Sequence, residues 1–315
     1  MLCEHFVSAY PMLADIWPLY QPPELSPSSG TRLRIALLAD PQFASVSPDY
    51  ANNLYYRSAL FKLPALFRHL NAMELDLVVT LGDIVDRYRE DYQRILPVYR
   101  QLRHPHLFIT GNHDAAVIRR QLEQFTPVPA LPKHYYAVQT PCFRILVIDG
   151  NDVSFYATRA SAETLQQAAQ YYAALTIAGE PQAESWNGAI GQSQYLWIEQ
   201  QLEEARQQGQ QVIVLGHYPL APAGKHRLWN GEQIAELLTR YRVVASFHGH
   251  DHHGSLETRH QTHFVTVPGL LDTPDRAPFM IAEITADGLV LTAGQISVIP
   301  QDEGGSPGAS TAVFP

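Results

Sequence analysis

The sequence predicts a layered α/β fold. Short apolar runs recur at 33–39, 75–81, 106–110, 143–148, 211–215 and 243–247, stretches of helical character lie between them, and 46% of the 315 residues are hydrophobic against 17% charged. Buried strands covered on both faces read as such runs, and this composition is that of a folded chain with a sizeable core.

Taken in order, residues 1–31 form an N-terminal extension that ends in the linker QPPELSPSSGT, dense in Pro, Ser and Gly. The main domain is expected over 32–300, with 301–315 a flexible tail. Helices are expected at 55–71, 91–102, 192–208 and 231–241, the third carrying Trp197 and Leu202 on its apolar face. The segment 151–187 is polar, helix-prone in its middle and poorly patterned, which suits an insertion near an active-site mouth. After Thr262, runs at 263–267, 280–284 and 289–293 with an Asp287-Gly288 turn predict closing antiparallel strands.

Thirty-one acidic against 22 basic residues leave a formal charge of -9, a field that repels a polyanionic backbone and argues against sequence-general nucleic-acid binding. No run of eighteen apolar residues occurs, so no membrane span is expected. Cys3 and Cys142 make no disulfide framework, which points to reduced thiols in the cytoplasm. The apolar stretch 3–20 contains Glu4, Pro11, Asp15 and Pro18 and no basic lead, so it does not read as a signal peptide. Its Phe6, Trp17 and Tyr20 should cover something, on this chain or on a second subunit, and the extension is the expected route to an oligomer.

Nearly every buried run stops at a polar residue able to bind a metal: Asp40, Asp83, Asn112, His217 and His250. Ligand sites of open α/β sheets gather at such carboxyl ends. Each Gly-Asp, Gly-Asn or Gly-His pair alone is explained by a tight turn. Turns give no reason for Asp, Asn and His to recur at five successive strand ends, and a metal site does. Mixed oxygen and nitrogen donors suit manganese, iron or zinc and not calcium.

The ordered blocks Asp40-Pro41-Gln42, Gly82-Asp83-Ile84-Val85-Asp86, Gly111-Asn112-His113-Asp114, Gly216-His217 and Gly249-His250-Asp251-His252 resemble those of the calcineurin-like metallophosphoesterase superfamily. Gln42 stands where a histidine is commoner, as in the manganese-dependent ADP-ribose/CDP-alcohol diphosphatases. The run Asn53 to Arg57, Asn187-Gly188, Leu228-Trp229-Asn230 and Pro268 to Pro274 match that family too. The resemblance implies a four-layer α/β/β/α sandwich and two divalent ions, most simply Mn2+. It places Asp40, Gln42, Asp83 and His252 on one ion and Asp83, Asn112, His217 and His250 on the other. An amide oxygen in place of an imidazole hardens the first site and favours manganese over zinc.

The expected reaction is hydrolysis of the phosphoanhydride bond in nucleoside diphosphate conjugates of the ADP-ribose or CDP-alcohol type, by a hydroxide shared between the ions. By the resemblance, His113 contacts the phosphate and protonates the leaving oxygen, with Asp86 to orient it; Asp86 as a helix cap is the bland reading. Arg57 is a candidate clamp for the second phosphate, and Tyr56, Asn187, Ile190 and Trp229 are candidate substrate contacts, against core packing for the aromatics. His226 shares the Trp229 loop. The alternatives are a phosphodiesterase for cyclic nucleotides or glycerophosphodiesters, and a non-catalytic metal-bound scaffold.

Overall fold

The computed structural model describes residues 30–125, 133–158 and 161–298, positions 14, 16, 18, 19, 21–23 and 25, and the backbone of 309–314. In chain order its elements begin with β1 (Leu33–Leu38), α1 (Ala59–Leu70), β2 (Leu77–Leu81), α2 (Tyr92–Tyr99), β3 (His106–Ile109), α3 (Asn112–Leu122), β4 (Tyr136–Gln139) and β5 (Phe143–Val147). There follow β6 (Val153–Ser154), α4 (Ala162–Ala178), β7 (Gly188–Ala189), α5 (Gln192–Gln208), β8 (Gln211–Leu215), α6 (Gly231–Arg240) and β9 (Ala245–His248). The chain closes with β10 (Ser255–Arg259), β11 (Thr262–Thr266), β12 (Arg276–Thr285), β13 (Gly288–Ser297) and β14 (Ala309–Phe314).

Alternate residues of β1 serve two different cores, since Ile35 and Leu37 join one cluster and Ala36 and Leu38 another. A strand apolar on both faces must be covered on both, and this requirement generates the layers. One sheet runs β14-β13-β12-β1-β2-β3 and the other β10-β11-β9-β8-β5-β4. Between them Ile35, Leu37, Val79 and Leu81 meet Ile145, Val147, Ile213 and Phe247. Leu63, Phe67, Ile95 and Ile118 from α1, α2 and α3 cover Ala36, Leu38 and Val78 on the outer face of the first sheet. Ile198, Leu202, Ile234 and Leu238 from α5 and α6 cover Leu146 and Val214 on the second. The result is the four-layer α/β/β/α sandwich. The central strands β1-β2-β3 and β5-β8-β9-β11 are parallel, so their carboxyl ends fall together.

Element ends differ from the sequence expectation for local reasons. The first helix starts at Ala59 and not at 55, because the Tyr55 amide donates to the Leu271 carbonyl. The second ends at Tyr99, its continuation closing in a tight turn with Arg100, Gln101 and Leu102 bonding three residues back. Helix α3 was not expected, since it begins inside the Gly111-Asn112-His113 block. The segment read as an insertion contains α4, capped by the Ser161 hydroxyl accepting from Thr164 N and by Gly179 in the left-handed region. Its ends are tied where β6 pairs antiparallel with β7. Within the segment read as a flexible tail, residues Ala309–Phe314 pair antiparallel with β13. Ile16 and Leu19 of the extension are buried beside the helices of the first sheet. Cys3, Phe6, Trp17 and Tyr20 lie outside the described residues. Among those described, no helix is long and apolar enough to cross a membrane.

His248 at the end of β9 is fully buried, and burial, followed by nearby His217, pushes its pKa down from 6.5 to about 3. The unfolded chain therefore takes up a proton below about pH 6.5 that the folded chain refuses until about pH 3, so stability is lost as pH falls through that window. His248→Gln should flatten the slope of unfolding free energy against pH between 6.5 and 4.5 in urea titrations. An unchanged slope would show that this ring is not the acid-labile group.

Candidate metal centre

The carboxyl ends of β1, β2, β8 and β9, and the turn from β3 into α3, bring Asp40, Asp83, His217, His250 and Asn112 together, and all five are buried. Four of the residues at this centre have left-handed backbone: Asp40 (φ 51°), Gln42 (φ 41°), Asp83 (φ 50°) and His250 (φ 66°). Each such non-glycine residue costs about 1–3 kcal/mol and persists only where its surroundings over-determine it. Here the bend turns the side chain back across the strand ends. The neighbouring glycines are needed for space. A Cβ on Gly82, itself at φ 94°, would lie 2.3 Å from His217 Nδ1, and one on Gly111 would lie 2.0 Å from Asp83 Oδ1.

Hydrogen bonds on the far side of each ring select the atom that faces inward. His217 Nδ1–H donates to the Leu81 carbonyl at 2.8 Å, leaving Nε2 3.4 Å from Asp83 Oδ2 and 3.2 Å from Asn112 Oδ1. His250 Nε2–H donates to Asn187 Oδ1 at 2.9 Å, leaving Nδ1. His252 Nδ1–H donates to Asp272 Oδ1 at 2.7 Å, leaving Nε2 3.8 Å from Asp40 Oδ1. Such outer partners fix the tautomer of a metal-binding imidazole. Asp83, His217 and His250 each offer an atom within 4.8 Å of one another.

Burial pushes Asp40 up to about 6 against the pull of His252 and His217. Burial works the same way on Asp83, but His217 and His113 outweigh it and hold that carboxyl well below its usual range. It also disfavours charge on His217 and His252, yet Asp83 raises the first to about 9, and Asp272 with Asp40 raises the second to about 9. Burial, with His217, keeps His250 neutral far below 6.5. A cation entering this cluster would replace protons held by the imidazoles.

Gln42 tests whether the residues fit a metal. Its Nε2–H groups donate to Asp86 Oδ1 at 2.9 Å and point at His113 Nε2, 3.1 Å away, while its buried Oε1 has no hydrogen-bond partner among the described residues. A buried acceptor left unpaired is costly and fits a cation ligand. His113 Nδ1–H donates to the Asp86 backbone carbonyl at 2.9 Å, with Asp86 Oδ1 3.3 Å away, so Asp86 holds both Gln42 and His113. Asp114 ties the loops together, accepting from the amides of Gly111, Ile84 and Val85 and from the Tyr92 hydroxyl.

These groups border an open cavity of about 1040 Å³. Of the expected substrate contacts, Tyr56 lines it, under the Arg87 guanidinium at 4.8 Å. The other four do not. Arg57 donates to the Ser45 carbonyl at the surface. Asn187 stands behind His250, held by its amide on the Gln182 and Lys225 carbonyls. Ile190 is in the core under α5 and α6. Trp229 is buried, its indole N–H donating to the Glu184 carbonyl. The cavity wall is instead built by Arg87, Arg119, Arg120, Phe155, Tyr156 and Trp186, with His226 beside His250. Asp272, also missed, sits in the Pro268 to Pro274 run, where an acid in a Pro-flanked turn was the available signal.

Two facing sheets flanked by helices, with oxygen and nitrogen donors at the strand ends beside a cavity, define a metal-dependent phosphohydrolase. The chain belongs to the calcineurin-like phosphoesterase family, whose sequence profile matches residues 33–254. It is similar to a manganese-dependent ADP-ribose/CDP-alcohol diphosphatase of Arabidopsis thaliana, 27% identical over 76% of this chain and 86% of the relative. A Homo sapiens protein of the same name is 24% identical over 86% of this chain and 92% of its own length. The fold is that of a dimetal phosphatase from Danio rerio, with a TM-score of 0.73, 20% identity, and coverage of 90% of this chain and 99% of that one.

Gly111→Ala should displace Asp83 and reduce bound manganese, measured by elemental analysis, with turnover falling roughly 100-fold while the circular dichroism spectrum is kept. Full metal loading in that variant would separate the glycine from the site.

Proposed function

We propose that the chain hydrolyses the phosphoanhydride bond of nucleoside diphosphate conjugates of the ADP-ribose or CDP-alcohol type, releasing a nucleoside monophosphate and a second phosphomonoester. The observation that carries this is Gln42, whose buried amide oxygen has no hydrogen-bond partner among the described residues and is free to serve as a ligand where a histidine is commoner; the similarity to relatives named for that activity supports the same reading. Asp40, Gln42, Asp83 and His252 would hold one divalent ion and Asp83, Asn112, His217 and His250 a second, most simply Mn2+ in both, with iron or zinc as substitutes. Bound there, such ions supply positive charge to the phosphoryl oxygens and acidify water.

The chain's own residues do the rest. His113, on the first turn of α3 and at the cavity wall, would give a proton to the leaving oxygen from Nε2 once the ring is doubly protonated, Nδ1–H being engaged by the Asp86 carbonyl and the Gln42 amide then bonding Asp86 alone. Asp86 fixes the ring, and its carboxylate also restrains Gln42 and Arg87. Aromatic groups at the cavity supply surface for a base. A reducing cytoplasm suits the free thiol of Cys142.

A chromatographic assay of manganese-loaded protein against equal amounts of ADP-ribose, a CDP-alcohol, cyclic AMP and a glycerophosphodiester tests the reading. Release of AMP or CMP from the diphosphates is the expected result; preferential loss of the cyclic or glycerol diester would replace it with a phosphodiesterase. His113→Ala should slow turnover most for substrates with poor leaving groups, by roughly 10²–10⁴-fold. Equal losses on good and poor leaving groups would remove its role as acid.

A further inference from the structure

Helix α3 carries more than His113 to the cavity. Ala116 and Arg120 follow at three and seven residues, on the same helical face, and Arg119 lies beside them; all line the wall. Arg120 is roughly 10 Å along the axis from His113, and its side chain leans back toward the helix N-terminus. Ala116 between them is too small to fill the gap. Arg87, on the loop after β2, completes the cluster, so three guanidinium groups meet at one wall in a chain of net charge -9.

Hydrogen bonds tether each guanidinium, that of Arg120 along a single edge. Arg120 Nε–H donates to the Ala116 carbonyl and Nη2–H to the Arg87 carbonyl. Arg119 bonds Glu123 and the Phe155 carbonyl, and Arg87 Nε–H bonds Asp86. For Arg120, hydrogen bonds among the described residues take up two of five N–H groups. Tethering of this kind sets the orientation of a fork donor before a ligand arrives, which reduces the entropy lost on binding.

We infer that this wall, with Arg120 as its main donor, seats the second, non-reacting phosphate of the substrate and so selects a diphosphate over a single phosphodiester. The inference rests on the function proposed above. Remote binding of that kind holds the reacting phosphate beside His113 and contributes to turnover as well as affinity.

Manganese-loaded wild type and Arg120→Gln are compared on ADP-ribose and on the p-nitrophenyl ester of a nucleoside 5′-monophosphate, which shares the nucleoside but has one phosphate. The ratio of kcat/KM for the diphosphate to that for the ester should fall roughly 10- to 100-fold in the variant. In parallel, competitive inhibition by ADP should weaken relative to inhibition by AMP. An unchanged ratio, with both substrates losing equally or not at all, overturns the assignment. Ester turnover without any diphosphate turnover in the wild type overturns the functional reading and the assignment with it. Ala116→Leu, which leaves all three arginines in place, should lower the same ratio by filling the gap; a ratio kept there counts against the placement.

Discussion

Asp40 and Asp83 lie out of water at the ends of adjacent parallel strands, and the burial of that charge is the constraint the surrounding structure answers. Removing a carboxylate from solvent costs several kcal/mol unless charges and hydrogen bonds compensate. The chain compensates with amides, at His250 for Asp40 and His113 for Asp83, and with imidazoles facing both. The compensation is incomplete at Asp40, whose carboxyl stays raised, and at Gln42, whose oxygen has no hydrogen-bond partner among the described residues. Both deficits are of the sign a cation corrects.

Holding such groups in place uses rigidity made elsewhere. Four residues with left-handed backbone gather at the centre, and they remain there because the strands that lead into them are covered on both faces. Three stacked apolar clusters leave those strands no room to relax. Asp114 adds a polar lock, joining the Asp83 and Asn112 loops through one carboxylate with four donors. Core packing and chemistry are thus linked: the strain is local and the restraint is spread through the sandwich.

How much of this was legible in the sequence follows from how local each feature is. Asp40, Asp83, Asn112, His217 and His250 were readable because each closes an apolar strand, so pattern and chemistry coincide at one residue. That the fold is layered was readable through the same runs, the α/β/β/α order came only with the family resemblance, and α3 was hidden because its first turn is spent on Asn112 and His113. Four of the five expected substrate contacts stand away from the cavity because proximity along the chain does not decide what faces it. Trp229 follows His217 in a loop yet spends its indole N–H on a backbone carbonyl, and Asn187 serves His250 from behind. The wall comes from α3, the β2 loop and the 151–187 segment, which carry no shared motif and meet only through topology.

The short pairing of β6 with β7 has a consequence beyond the present chemistry. It fastens together the two ends of the segment that supplies Phe155, Tyr156 and Trp186, whereas the candidate metal donors stand on other loops. A closed-off span of this kind can change length cheaply, each doubling costing only about 0.6 kcal/mol in closure entropy. The span between the two short strands can therefore vary in length and sequence while both anchors stay in place, up to Asn187 at its far end, which has to remain because it orients His250.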